Sequence, residues 1–107
     1  MIMERIYISA PITGQEETAE ARFRDAESLL RSEGYEPVNP YERNKGYAKW
    51  EDAVLADLRL LKGCDGIMLC KGWRMSRGCE IERLFARGMG KEIIFEEMLV
   101  LERGGPN

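Results

Sequence analysis

Ile6-Tyr7-Ile8-Ser9-Ala10-Pro11-Ile12-Thr13-Gly14 is a short run of strand formers that stops at a proline and a glycine. A helical repeat follows at once: Ala19, Phe23, Ala26 and Leu30 recur at three- and four-residue spacing, and Gly34 offers a C-terminal stop. Strand, turn and amphipathic helix in that order open a parallel βαβ unit.

The same alternation continues outward. A second strand is expected over Tyr35–Val38, ending at Asn39-Pro40, and a long polar and aromatic loop over Tyr41–Lys49. A helix over Trp50–Lys62 carries the apolar stripe Trp50, Ala53, Val54, Leu58 and Leu61, with Gly63 closing it. The third strand is Gly66–Cys70 and the next loop Lys71–Met75. The third helix is Ser76–Arg87, with Ile81, Leu84, Phe85 and Met89 as its core face. A fourth strand, Glu92–Phe95, precedes a short helix over Glu96–Leu101, and residues 103–107 are expected to fray.

Right-handed crossovers turn this order into a doubly wound α/β sheet of about four strands, order 2-1-3-4, with helices on both faces. Ligands of such sheets bind at the carboxyl edge, where the first and third strands diverge. The loops there are Ala10–Gly14, Asn39–Lys49 and Lys71–Gly78.

The 107 residues suit one domain, expected to span the whole chain. A net charge of −3 without a basic run argues against nucleic acid as partner. No apolar run approaches the roughly 20 residues needed to span a bilayer. Met1–Ser9 is too short and too charged for a signal peptide. Cys64, Cys70 and Cys79 form no CxxC pair and read as reduced core thiols of a cytoplasmic protein. The chain has no histidine, which removes Ser-His and Cys-His nucleophile pairs and the usual zinc sites. Its chemistry must use carboxylates, hydroxyls, thiols or backbone dipoles.

Among carboxylates, Asp57 falls inside the apolar stripe of its helix, between Trp50 and Leu61. It is either held by a neighbouring loop or arginine, or aimed into the strand-end crevice. The segment Ser76-Arg77-Gly78-Cys79-Glu80-Ile81-Glu82 is either an anion-binding helix start or a plain cap. Glu80 and Glu82 flank the apolar stripe, and periodicity does not choose between them. The loop Ser9–Gly14 matches neither the GxGxxG nor the Walker A pattern, yet lies at the switch point. Trp50, on the stripe, is read as core. Trp73, in a loop, is open between stacking a base and filling the rim.

Four of these pieces resemble the nucleoside 2-deoxyribosyltransferase-like superfamily, and within it the DUF4406 type. They are Tyr7–Gly14, Gly34–Pro40, Asp57 with Cys64-Asp65, and Gly72–Gly78 leading to Glu82, Ala86, Gly90 and Lys91. The last spacing is the most specific, and it puts Glu82 rather than Glu80 at the nucleophile position. Where the superfamily's nucleotide hydrolases carry a serine and an arginine in the first loop, this chain has Pro11 and Thr13. Phosphate recognition is therefore left open. There is also one extra residue between Asp65 and Ser76.

The resemblance implies N-glycosidic bond cleavage or transfer on a nucleoside or its 5′-monophosphate. Glu82 would be the nucleophile, kept ionised by its place near a helix start. Asp57 would orient it or protonate the leaving base, and Tyr7 would position sugar or nucleophile. Ser9, Ala10, Pro11, Ile12, Gly14, Asn39, Trp73, Ser76 and Gly78 would contact substrate, with no metal or organic cofactor required. A nucleotide-sensing module without turnover is the alternative. The exposed edge of so small a sheet also predicts a homodimer or larger homo-oligomer, with a neighbour completing the pocket.

Overall fold

The computed structural model describes residues 3–103. Its strands are β1 (Arg5–Ser9), β2 (Glu36–Val38), β3 (Gly66–Leu69) and β4 (Glu92–Phe95). They form one sheet in the order β2-β1-β3-β4, parallel throughout. The expected order is therefore the observed one. Both central strands are covered on two sides, which is why Ile6–Ser9 and Gly66–Leu69 are buried without a break.

Successive β1 side chains serve opposite layers. Ile6 and Ile8 pack with Phe23, Ala26 and Leu30 of α1 (Glu16–Ser32) and Leu99 of α5 (Glu96–Glu102). Tyr7 points the other way, with Ile67 and Leu69 of β3, toward Leu61 of α3 (Trp50–Lys62) and Ala86 of α4 (Arg77–Gly88). Ser9 shares that second face by parity. Gly66 sits where three strands meet: a Cβ there would lie 2.8 Å from the Glu92 carbonyl oxygen and 3.0 Å from Ile6 Cδ1.

Three expectations need correction. The loop after Asn39 begins as a helical turn, α2 (Pro40–Arg43), because the Asn39 side chain caps it by accepting from Glu42 N–H at 3.2 Å and Pro40 takes the first position. The buried residues of α4 are Cys79, Glu82 and Ala86; Phe85 packs against the core as expected, whereas Leu84 and Met89 are 52% and 55% exposed. Short side chains on that face let α4 approach β3 and β4, and Glu82 is admitted because it finds hydrogen-bond partners there. On α3 only Leu61 is buried, and Trp50 is 43% exposed. Trp50 stands in the first position of α3, beyond the sheet layer that covers Leu61.

The expected fraying begins on a described residue, Arg103. That residue caps α5, pairs with Glu33 and donates to Ser32 Oγ. Residues 104–107 lie outside the described range. Cys64, Cys70 and Cys79 are buried free thiols. Among the described residues no helix is long and apolar enough to cross a membrane, and no group of His, Cys, Asp and Glu is arranged to hold a metal ion.

Candidate active site

The second face of β1 opens, at the carboxyl ends of β1 and β3, on a crevice roofed by α2, α3 and the start of α4. Tyr7 and Ser9, two residues apart, meet Glu82 from the inward face of α4. The Tyr7 hydroxyl donates to Glu82 Oε2 at 2.6 Å and the Ser9 hydroxyl to Oε1 at 2.7 Å. Glu82 is only 7% exposed, and that remnant faces the crevice.

Burial raises Glu82 from the ordinary 4.5 to about 7; the bonds from Tyr7 and Ser9 hold it down, and the Asp57 charge adds to the rise. A helix start was expected to keep this acid ionised. It does not, because Glu82 is the sixth residue of α4 and the dipole acts mainly within the first turn. Burial thus brings the titration of Glu82 into the neutral range.

Asp57, on α3, is half-buried, and burial lifts it from 3.8 to about 6 against the opposing bond from Asn44. That bond runs from Asn44 Nδ2 to Asp57 Oδ1 at 2.9 Å, from the loop that follows α2. Both readings of Asp57 thus hold together: a loop restrains it, and it lines the crevice.

The crevice has two lobes, of about 410 and 630 Å³, which share Ala10, Ile12, Tyr47, Ala53, Asp57 and Glu82. The smaller is aromatic, walled by Phe23, Pro40, Tyr41 and Tyr47, with the Phe23 and Tyr41 rings stacked at 5.4 Å. The larger is polar at its rim, with Thr13, Gln15, Ser76, Arg77 and Gly78. Trp50 lines it, the Arg77 guanidinium 4.8 Å over its ring.

The expected contact residues separate. Ala10, Pro11, Ile12, Ser76 and Gly78 line the crevice, as do Tyr7, Asp57 and Glu82. Ser9 is 1% exposed and spends its hydroxyl proton on Glu82, so it stands behind the wall rather than on it. Asn39 is buried and caps α2. Gly14 takes a φ of +82° in the turn before α1, and neither lobe reaches it. Trp73 packs beneath Arg74 and Arg83, its ring 6.0 Å from Phe95, away from both lobes. Trp50 thus stands at the crevice rather than in the core, and of the two places open to Trp73 the structure gives it the rim.

At the start of α4, the Ser76 hydroxyl accepts from Cys79 N–H at 3.2 Å, which is an ordinary cap. Glu80 turns outward to Arg83. Burial raises the Cys79 thiol, so it is a poor nucleophile although it lines the larger lobe.

The sequence reading did not single out Asn44, Tyr47, Tyr41 or Arg77. Asn44 and Tyr47 lay in a loop marked only by its polar and aromatic composition. Tyr41 gains its place from stacking on Phe23, a long-range contact that periodicity does not register.

A family model described as "Domain of unknown function (DUF4406)" matches residues 4–95. No curated protein matches the chain. Among solved structures, the chain is similar to the Clostridium botulinum CMP N-glycosidase BcmB, with 25% identity and a TM-score of 0.59 over 86% of this chain and 67% of that one. It is also similar to a 2-desoxiribosyltransferase from Leishmania mexicana, with 18% identity and a TM-score of 0.67 over 86% of this chain and 63% of that one. The second likeness is one of fold, and the chain spans less than two thirds of that protein's length.

Proposed function

The chain belongs to the DUF4406 family, within the nucleoside 2-deoxyribosyltransferase-like superfamily, and from that premise we propose that it cleaves or transfers the N-glycosidic bond of a nucleoside or nucleoside 5′-monophosphate. The observation that supports this most is the seating of Glu82: a buried carboxylate with a hydroxyl on each oxygen, open only to a crevice.

In the proposed reaction a Glu82 oxygen attacks the anomeric carbon and forms a C–O bond to the sugar. The C–N bond breaks, its electron pair leaving with the base, and Asp57 supplies the proton. Water, or an N–H nitrogen of a second base, then displaces Glu82 from the sugar and gives its proton to the Asp57 carboxylate. The smaller lobe, with Tyr41 and Tyr47, offers ring faces for the base.

Burial raises both acids, Glu82 to about 7 and Asp57 to about 6, and a bound substrate acts on them unequally. Asp57 is half-buried and lines both lobes, so a bound base removes its remaining water and pushes its carboxyl up. Glu82 is already buried and held by two donors, and has little water left to lose. The incoming base thereby moves the proton onto the acid that must donate it.

The test is base release from ribo- and deoxyribonucleosides and their 5′-monophosphates, followed by chromatography. Wild type and Glu80→Ala are expected to release base, and Glu82→Ala is not. Labelled free base added alongside reports transfer. Release by Glu82→Ala at the wild-type rate would overturn the assignment. No release by folded wild type, together with a thermal shift from a nucleotide, would replace the enzyme by a sensing module.

A further inference from the structure

Ser9 is fully covered, yet it presents a polar group to the one part of the molecule where a carboxylate must be controlled. Its backbone is fixed by the sheet: it pairs with Leu69, and its carbonyl accepts from Cys70 N–H at 2.9 Å. The strand therefore fixes the face to which Ser9 points, and at 1% exposure its hydroxyl has no solvent to turn to. A hydroxyl has one proton to give, and this one goes to Glu82 Oε1 at 2.7 Å, opposite the Tyr7 bond to Oε2 at 2.6 Å.

We infer that Ser9 is a positioning residue: its hydroxyl grips one carboxylate oxygen of Glu82 while Tyr7 grips the other, so that β1 sets the plane and charge of the nucleophile before any substrate arrives. The inference rests on the glycosidase reading for its chemical meaning, but its geometry does not. Each carboxylate oxygen keeps a second lone pair beyond the bond it accepts, which leaves one free for attack. The titratable groups that act on Glu82 are Tyr7 from β1, Asp57 from α3 and the neighbouring Cys79 of α4. Asp57 opposes ionisation and Cys79 stays a thiol. The two hydroxyls are therefore the groups that favour the anion, and Ser9 supplies one of them.

The experiment titrates the Glu82 carboxyl by carbon-13 NMR in wild type, Ser9→Ala, Ser9→Thr and Tyr7→Phe, using glutamate labelled at the carboxyl carbon. Ala is smaller than Ser and keeps the strand, which far-UV circular dichroism verifies. Loss of one charge-assisted bond raises the Ser9→Ala midpoint by about one pH unit. Ser9→Thr, which retains the hydroxyl, returns the midpoint toward wild type. In the base-release assay Ser9→Ala then loses about tenfold in kcat at pH 6 and little at pH 9, with KM within about twofold. An unchanged midpoint overturns the inference, as does a KM defect without a pH dependence, which would make Ser9 a substrate contact after all. Absence of base release from wild type would defeat the glycosidase reading and leave the titration to decide the role of Ser9.

Discussion

Replacing Glu82 with Gln should stabilise the protein in alkaline buffer and do far less in acid. The folded state holds the Glu82 carboxyl at about 7, against an ordinary 4.5 in the unfolded chain. Between those values the folded protein binds more proton than the unfolded one, so stability falls as pH rises through the window and stays low above it. A rise from 4.5 to about 7, at about 1.36 kcal/mol per pH unit, is worth about 3 kcal/mol. Solvent screening removes little of this, because Glu82 is 7% exposed. Gln keeps the shape and cannot ionise, and its amide oxygen and nitrogen both have a hydroxyl to bond, Tyr7 or Ser9. Asp57 titrates nearby in both proteins, so its own contribution largely cancels in the difference. Urea unfolding of wild type and Glu82→Gln at pH 4.5 and pH 8.5 measures the effect. The Gln advantage should grow by about 3 kcal/mol between the two, a midpoint displacement of about 1–3 M, with the slope unchanged. An advantage of the same size at both pH values would refute the reasoning, because it would mean that Glu82 is not ionised against its burial.

Other perturbations test other parts. Trp50→Ala should raise KM about tenfold with modest loss of stability, whereas Trp73→Ala should lower the melting temperature with KM nearly unchanged; steady-state kinetics and thermal melts on both separate them. Asn44→Ala removes the bond that holds Asp57 down, so the Asp57 carboxyl rises above about 6 and a larger fraction is protonated at neutral pH. The alkaline limb of the pH–rate profile should move upward; a downward move would contradict that sign. Gly66→Ala drives a methyl against the Glu92 carbonyl and Ile6, and urea unfolding should show a loss of about 2–3 kcal/mol.

What the sequence disclosed follows the range of the forces involved. The strand order came from the alternation of strand and helix and the right-handed crossover, and α3 and β4 run over the spans that the sequence pattern indicates. The short helix α2 was missed although its signal is local, since Asn39-Pro40 is a cap followed by a first-position proline. The inward face of α4 was not legible. Counting apolar residues favours Ile81, Leu84, Phe85 and Met89, but Tyr7 and Ser9 make burial of Glu82 tolerable, and they stand 75 and 73 residues away. Trp50 was misplaced because phase along a helix does not tell where the covering layer ends. Resemblance, rather than periodicity, singled out Glu82 over Glu80, and the outward turn of Glu80 to Arg83 agrees with that choice.

The alternation along β1 has a consequence for how this protein can change. Ile6 and Ile8 anchor one layer while Tyr7 and Ser9 hold the Glu82 carboxyl on the other, so a single strand supplies both foundation and site. A one-residue insertion or deletion within it would exchange the two sets, sending isoleucines to Glu82 and hydroxyls into the aliphatic layer. No intermediate sequence retains half of each arrangement. Lengthening and shortening are therefore confined to the loops that frame the crevice, and variation in ligand preference has to be sought there, while β1 is bound to change by substitution alone.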